Sequence, residues 1–283
     1  MIAYFLNNNG LGDNLYSIGA VRFLSQFYDK IYFLCKDKYC ENVKLFFLDN
    51  DSIICVPFHS TDMEHEKQVC SNILTPKYVD DNVDIFICGL HINYLKTKKT
   101  NQKLIQHTIP ENTKYSIEYD TITLANYYGF IECMYKDIQL NLSTMFEYFY
   151  LPPTHESLAL YELVESYNIV FIHTTSSNNV SLNISNLLSK YLYDEKTILI
   201  CSDVNIYSTA TLNNKEITKK RDLCDLFVNI KLLFYLDTIL NSQEIYIIDS
   251  CFTGIVLPLL KTNKLKAQNV RIIVRELVNA IPL

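Results

Sequence analysis

Asp13 stands at the end of Asn9-Gly-Leu-Gly-Asp13, a run in which two of the chain's six glycines fall within three residues of each other. Such a backbone can turn tightly and let a ligand approach closely. A carboxylate placed there has two chemistries open to it. It can cap a helix that starts at the turn, accepting hydrogen bonds from first-turn amides and interacting favourably with the helix dipole. It can also act as a general base, taking the proton from a hydroxyl nucleophile. The two roles compete, because backbone hydrogen bonds lower a carboxylate's pKa and weaken it as a base. A dinucleotide fingerprint needs a third glycine where Asn14-Leu15 stands, and no Gly-Lys-Ser/Thr follows to make a Walker A loop.

Two further runs carry anion-binding chemistry. In Ile247-Ile-Asp249-Ser250-Cys251-Phe252-Thr253-Gly254, Ser250, Thr253 and the amides after Asp249 surround an expected helix N-terminus, a ready site for a diphosphate. Asp249 would repel a phosphate, so it fits a sugar hydroxyl or a helix cap better. In His173-Thr174-Thr-Ser176-Ser-Asn178, hydroxyls and amides can cradle phosphate oxygens, with His173 adding a proton-dependent charge. Asp203, in Cys201-Ser-Asp203-Val-Asn205, is placed to contact a ribose or base. Each run also has a plain structural reading, as an ordinary strand-to-helix cap or a polar turn.

Other chemistries find no pattern. The six histidines include no His-Glu-x-x-His, and His65 between Glu64 and Glu66 reads as a solvated helix face. No Gly-x-Ser-x-Gly elbow supports a hydrolase triad. Asp80-Asp81 leads into a strand and reads as a loop. The basic run Lys96-Thr-Lys-Lys99 reads first as a solvated loop and second as a contact for an anionic ligand.

The elements that must position these residues alternate. Short apolar runs at Ile2 to Leu6, Lys30 to Cys35, Ile53 to Val56 and Asp84 to Cys88 predict strands. Between them lie helical apolar spacing over Asn14 to Phe27, a helix-like run over Tyr39 to Leu48 and a polar, helix-compatible segment over Thr61 to Leu74, with a further helix expected over Thr121 to Ile131. Tyr150-Leu-Pro-Pro-Thr154 interrupts the pattern and marks a linker. Beyond it, strands are expected at Asn168 to His173, Thr197 to Cys201, Glu244 to Ile248 and Val270 to Val274, and helices at Leu182 to Leu192 and Leu223 to Leu240. Continuous apolar strands each followed by a helix require a parallel sheet covered on both faces. The fold class is therefore α/β: two Rossmann-like domains, residues 1–150 and 151–283, with a ligand expected at the carboxyl ends of the strands in a cleft between them.

Composition bounds the rest. The chain has 283 residues, 25 Lys plus Arg against 31 Asp plus Glu, a net charge of −6, and 49% hydrophobic residues. That gives no broad electrostatic footprint for nucleic acid. Nine cysteines, with no Cys-x-x-Cys, read as buried free thiols and point to a reducing cytoplasm. No run approaches the roughly 18 apolar residues of a membrane span, and the N-terminus does not read as a signal peptide.

The stretch Asn9-Gly-Leu-Gly-Asp-Asn-Leu15, with Ala20-Val-Arg-Phe-Leu24 after it, resembles the N-terminal signature of the ADP-heptose:lipopolysaccharide heptosyltransferases and their relatives. The Asp249-Ser250 to Gly254 junction is similar to their second signature. The resemblance implies the two-domain GT-B architecture, with an acceptor-binding N-terminal half and a nucleotide-sugar-binding C-terminal half. It implies sugar transfer, with inversion, from a nucleotide diphosphate sugar to a glycan or glycoconjugate hydroxyl, with no cofactor and no obligatory metal. Carried onto this chain, it makes Asp13 the base, places Asp249 on the donor sugar, and sets Ser250 and Thr253 near the phosphates. Gly12, His173, Thr174, Ser176, Asp203 and Gly254 complete the candidate donor contacts. Two departures point away from a heptose donor: residues 174–181 contain no Lys, and Ile255-Val-Leu-Pro258 stands where a His is common. Two rivals remain, a sugar-nucleotide epimerase or hydrolase on the same fold, and a catalytically silent module that binds a sugar nucleotide or glycan.

Overall fold

In a computed structural model, which describes residues 1–106, 125–209 and 215–273, the apolar run Ile2–Leu6 becomes β1, an inner strand of a four-stranded sheet. Its partners are β2 (Lys30–Lys36), β3 (Ile53–Phe58) and β4 (Val83–Ile87), in the order β3-β2-β1-β4 with every pairing parallel. All five residues of β4 are buried. Pro57 is tolerated inside β3 because that strand lies at the sheet edge, where a missing donor costs no ladder bond. The helices of this part are α1 (Leu11–Tyr16), α2 (Ile18–Leu24), α3 (Asp37–Phe46), α4 (Met63–Leu74), α5 (Gln102–Ile105), α6 (Ala125–Asp137) and α7 (Ser143–Glu147). One face of the sheet packs Leu6, Leu34, Ile85 and Ile87 against Cys70 and Leu74 of α4. Each such fully buried aliphatic side chain contributes about 1.5–3 kcal/mol.

The chain divides into two units, Met1–Pro152 and Pro153–Leu283. The second has its own parallel sheet, β5 (Asn168–His173), β6 (Thr197–Cys201), β7 (Glu244–Ile248) and β8 (Asn269–Ile273), in the order β6-β5-β7-β8. Its helices are α8 (His155–Glu162), α9 (Ser185–Tyr191), α10 (Lys215–Asp225), α11 (Leu236–Asn241) and α12 (Thr253–Lys261).

Both sheets reverse their winding once. In the first unit the chain runs outward from β1 to β2 and β3, then returns to place β4 on the other side of β1. In the second it runs from β5 to β6 and returns to β7. At such a reversal the loops leaving the two adjacent strands diverge and open a crevice at their carboxyl ends, which is where ligands bind in open α/β sheets. The loops in question are those after β1 and β4 and those after β5 and β7.

Two helices differ from expectation. The helix expected over Asn14 to Phe27 starts earlier, at Leu11, and is broken at Ser17, whose ψ is −11°. Ser17 Oγ donates to Asp13 O over 2.9 Å and accepts from Asn7 Nδ2 over 2.9 Å, so its side chain competes for the helical backbone. The long helix expected over Leu223 to Leu240 is two helices with a turn between them. Asn229 takes the left-handed conformation (φ 55°) and Lys231 is extended, which no continuous helix accommodates. The start of the helix expected over Thr121 to Ile131 lies outside the described residues. Among the described residues no helix is long and apolar enough to cross a membrane.

Candidate functional site

Asp13 lies in the loop-to-helix junction after β1, at the reversal of the first sheet. Gly10 is the N-cap of α1, and Asp13 is the third helical residue, not the cap itself. Its Oδ2 accepts the Gly10 amide over 3.0 Å. That bond and one from the Asn8 side chain lower the carboxyl's pKa, as does nearby Lys36, yet burial outweighs them and the net shift is upward. The competition between capping and base strength is thus resolved by desolvation: Asp13 holds one capping bond and remains more basic than an ordinary Asp.

The loop that carries Asp13 is held by a buried polar network. Asn9, at φ 60°, donates its Nδ2 to Glu66 Oε1 over 2.9 Å and lies 3.1 Å from His91 Nε2. Glu66 Oε2 pairs with Lys36 Nζ at 2.6 Å, and His91 Nδ1 also contacts the Tyr94 hydroxyl. Asn7 Oδ1 accepts the Asn9 amide over 2.7 Å while its Nδ2 bonds Asn14 and Ser17. Across the reversal, Asn8 Oδ1 accepts the Leu90 amide over 2.6 Å, joining the loop after β1 to the turn after β4. Glu66 was expected on a solvated helix face and is instead 1% exposed. The signal for it is helical spacing, since Glu66, Cys70 and Leu74 share the buried stripe of α4.

In the second unit the parallel pairing of β5 with β6 brings His173 beside Asp203. His173 Nδ1 pairs with Asp203 Oδ1 and lies 2.7 Å from Ser202 Oγ. Asp203 Oδ2 accepts from the Thr174 amide (2.9 Å), the Thr174 hydroxyl (2.9 Å) and the Thr175 amide (2.6 Å). Burial raises the Asp203 pKa, but His173, Ser202 and Thr174 outweigh it and hold the carboxyl well below the usual range. The His173 ring packs on Phe252, with centroids 4.6 Å apart, which joins the loop after β5 to the one after β7. His173, Thr174 and Asp203 therefore form one constellation. Its ring orientation is set through Nδ1, so Nε2 is the nitrogen available to a ligand.

The remaining candidates serve their own turns. Thr253 is fully buried, and its Oγ1 accepts the Ser250 amide over 3.3 Å. Ser250 Oγ accepts the Phe252 amide over 3.2 Å. Gly254 is buried in the first turn of α12. Ser176 Oγ bonds Asn178 Oδ1 and Val180 O, within one loop. Asp249, half-buried, donates its amide to Ile273 O over 2.8 Å. Gly12 is half-buried one residue before Asp13. Among the described residues no three His, Cys, Asp or Glu side chains are grouped so as to hold a metal ion.

No family model matches the chain, and no curated protein matches it in sequence. In structure it is similar to a glycosyl transferase family 9 protein from Veillonella parvula, at 9% identity and a TM-score of 0.51 over 96% of this chain and 85% of that one. It is also similar to ADP-heptose lps heptosyltransferase II of E. coli, at 11% identity and a TM-score of 0.50 over 100% of this chain and 95% of that one. The mixed α/β architecture with parallel sheets is therefore that of GT-B glycosyltransferase neighbours.

Proposed function

We propose that the chain is a glycosyltransferase that moves a sugar from a nucleotide diphosphate sugar to a hydroxyl of a glycan or glycoconjugate. The observation that carries the reading is Asp13: a half-buried carboxyl of raised pKa, at a sheet reversal, held by a single backbone bond. In the reaction Asp13 takes the proton of the acceptor hydroxyl as its oxygen attacks the anomeric carbon. The bond from that carbon to the diphosphate oxygen breaks, and the diphosphate leaves with the electron pair. A single displacement of this kind inverts the anomeric centre and calls for no metal. The second unit would hold the donor, with the positive end of the α12 dipole and the His173 ring near the diphosphate charge.

A second reading, a module that binds the donor without turning it over, draws support from Ser176 and Thr253, whose hydroxyls are taken up by their own loops. Calorimetric titration with UDP-, GDP-, ADP- and dTDP-sugars, followed by an assay of nucleoside diphosphate release with candidate acceptors, decides between them. Acceptor-dependent release that is lost in Asp13→Asn supports transfer. Donor consumption without acceptor indicates a hydrolase or epimerase, and binding without turnover the silent module.

A further inference from the structure

The basic run after β4 has a place in the fold that the transfer reaction does not use. Residues 96–100 run along the edge of the first sheet, where Lys98 forms an antiparallel bridge with Ile85. The main chain of Lys96 is fixed on both sides by Tyr78, whose hydroxyl donates to Lys96 O over 2.5 Å and accepts its amide over 2.9 Å. Lys98 turns away and donates to Asp80 O over 2.5 Å. Lys96 and Lys99 instead line a concavity of about 780 Å³, together with Lys136 of α6. Ile92 and Leu95 supply an apolar part of its wall.

The local charge is one-sided. The concavity has three ammonium groups and one carboxylate, Asp137, on a chain whose net charge is −6. Asp137 is turned to the turn after β4, accepting the Gly89 amide over 2.8 Å. Lys99 Nζ is anchored by Ile138 O at 2.5 Å and Gln139 Oε1 at 3.1 Å, which holds its charge in the wall. Among the described residues neither Lys96 nor Lys136 forms an ion pair. The volume falls within the range of small-ligand sites, about 300–1,000 Å³.

We propose that this concavity is a binding site for a phosphate ester, with Lys96 and Lys136 meeting the phosphate oxygens, Lys99 adding a fixed positive charge, and Ile92 and Leu95 covering the adjoining apolar part of the ligand. An ammonium group binds phosphate as a compact point charge with several donors, and lysines on separate elements can close on it from two sides. The site is independent of the transfer chemistry assigned to Asp13, and its test needs no turnover.

Binding of the full chain is measured by calorimetry with inorganic phosphate and glycerol 3-phosphate, and by co-sedimentation with vesicles of equimolar phosphatidylcholine and phosphatidylglycerol. The probes are compared on wild type, on the double variant Lys96→Glu/Lys136→Glu, and on Lys103→Glu as a control outside the concavity. The double variant is expected to bind at least about tenfold more weakly, since two charge-assisted contacts become repulsive, while the control binds as wild type does. Binding of the soluble phosphates assigns the site to a free ligand, and binding confined to vesicles assigns it to a lipid headgroup. Absence of binding to every probe, or equal loss in the double variant and the control, overturns the proposal. Circular dichroism of the double variant, expected to match wild type because both side chains are exposed, separates lost binding from lost fold.

Discussion

Asn9 and Glu66, 57 residues apart in the chain, are joined by a buried hydrogen bond of 2.9 Å that ties the loop bearing Asp13 to helix α4. Glu66 also pairs with Lys36 and His91, so one carboxylate serves three other side chains. Truncating it in Glu66→Ala leaves the half-buried Lys36 cation and the buried Asn9 amide without that acceptor. Breaking a fully buried pair costs about 3–5 kcal/mol, and the partial exposure of Lys36 puts this loss at or below the lower end of that range. Urea denaturation should show that loss in the variant, with a smaller loss in Glu66→Gln, which keeps an acceptor for Asn9.

The same carboxylate makes stability depend on acid. Burial raises the Glu66 pKa, but bonds from His91, Lys36 and Asn9 outweigh it and pull the value down to about 2, from an ordinary 4.5. A carboxyl depressed on folding contributes stability that is fully present above its unfolded value and lost as pH falls towards its folded one. The difference in urea midpoint between wild type and Glu66→Gln should therefore be constant near neutrality and shrink between about pH 4.5 and about pH 2. Asp203, held low by His173 and its neighbours against its burial, follows the same sign. A gap that stays constant down to acid would show that Glu66 ionises alike in the folded and unfolded chain.

Asp13 has the opposite sign. Its carboxyl is raised on folding, chiefly by burial, so ionising it works against the fold as pH rises through the interval between its unfolded and folded values. Asp13→Asn keeps an oxygen for the Gly10 amide and removes the buried charge. The variant should lose about 10²–10⁴-fold in transfer, the usual contribution of a general base, while its melting temperature stays level or rises. Activity lost together with stability would make Asp13 a structural residue instead.

How far these arrangements can be read from the chain depends on what each one rests on. The strands β1, β5, β6 and β7 match the apolar runs that predict them, because burial on both faces leaves an uninterrupted signature. The interruption between α10 and α11 escapes periodicity, since it depends on one left-handed residue, Asn229, and on the Tyr235 hydroxyl reaching Phe227 O over 2.5 Å. His173 and Asp203 are recognisable singly as loop residues, but their pairing follows from the register of β5 with β6. Glu66 is hidden for a different reason. A charged residue on an apolar stripe looks exposed until its partners are known, and Asn9, Lys36 and His91 come from three other segments.

Gly89 couples the turn after β4 to the basicity of Asp13. It sits at φ +71°, and a Cβ added there would lie 2.0 Å from Asn8 Oδ1. A non-glycine residue in that conformation costs about 1–2 kcal/mol before any clash, and Asn8 cannot yield without giving up its bond to the Leu90 amide. The Asn8 side chain also hydrogen-bonds Asp13 and lowers its pKa, so displacing it removes one of the influences that oppose burial. Gly89→Ala should lower stability, and it should move the acidic limb of the transfer pH profile upward, because a base of higher pKa stays protonated to higher pH. Gly129→Ala provides the contrast. Its Cβ would meet nothing within 4 Å in helix α6, so it should gain up to about 1 kcal/mol from helix propensity and leave the pH profile in place. A Gly89→Ala variant that is less stable but titrates as wild type does would mean that Asn8 keeps its hold on Asp13, and that the turn after β4 supports the fold alone.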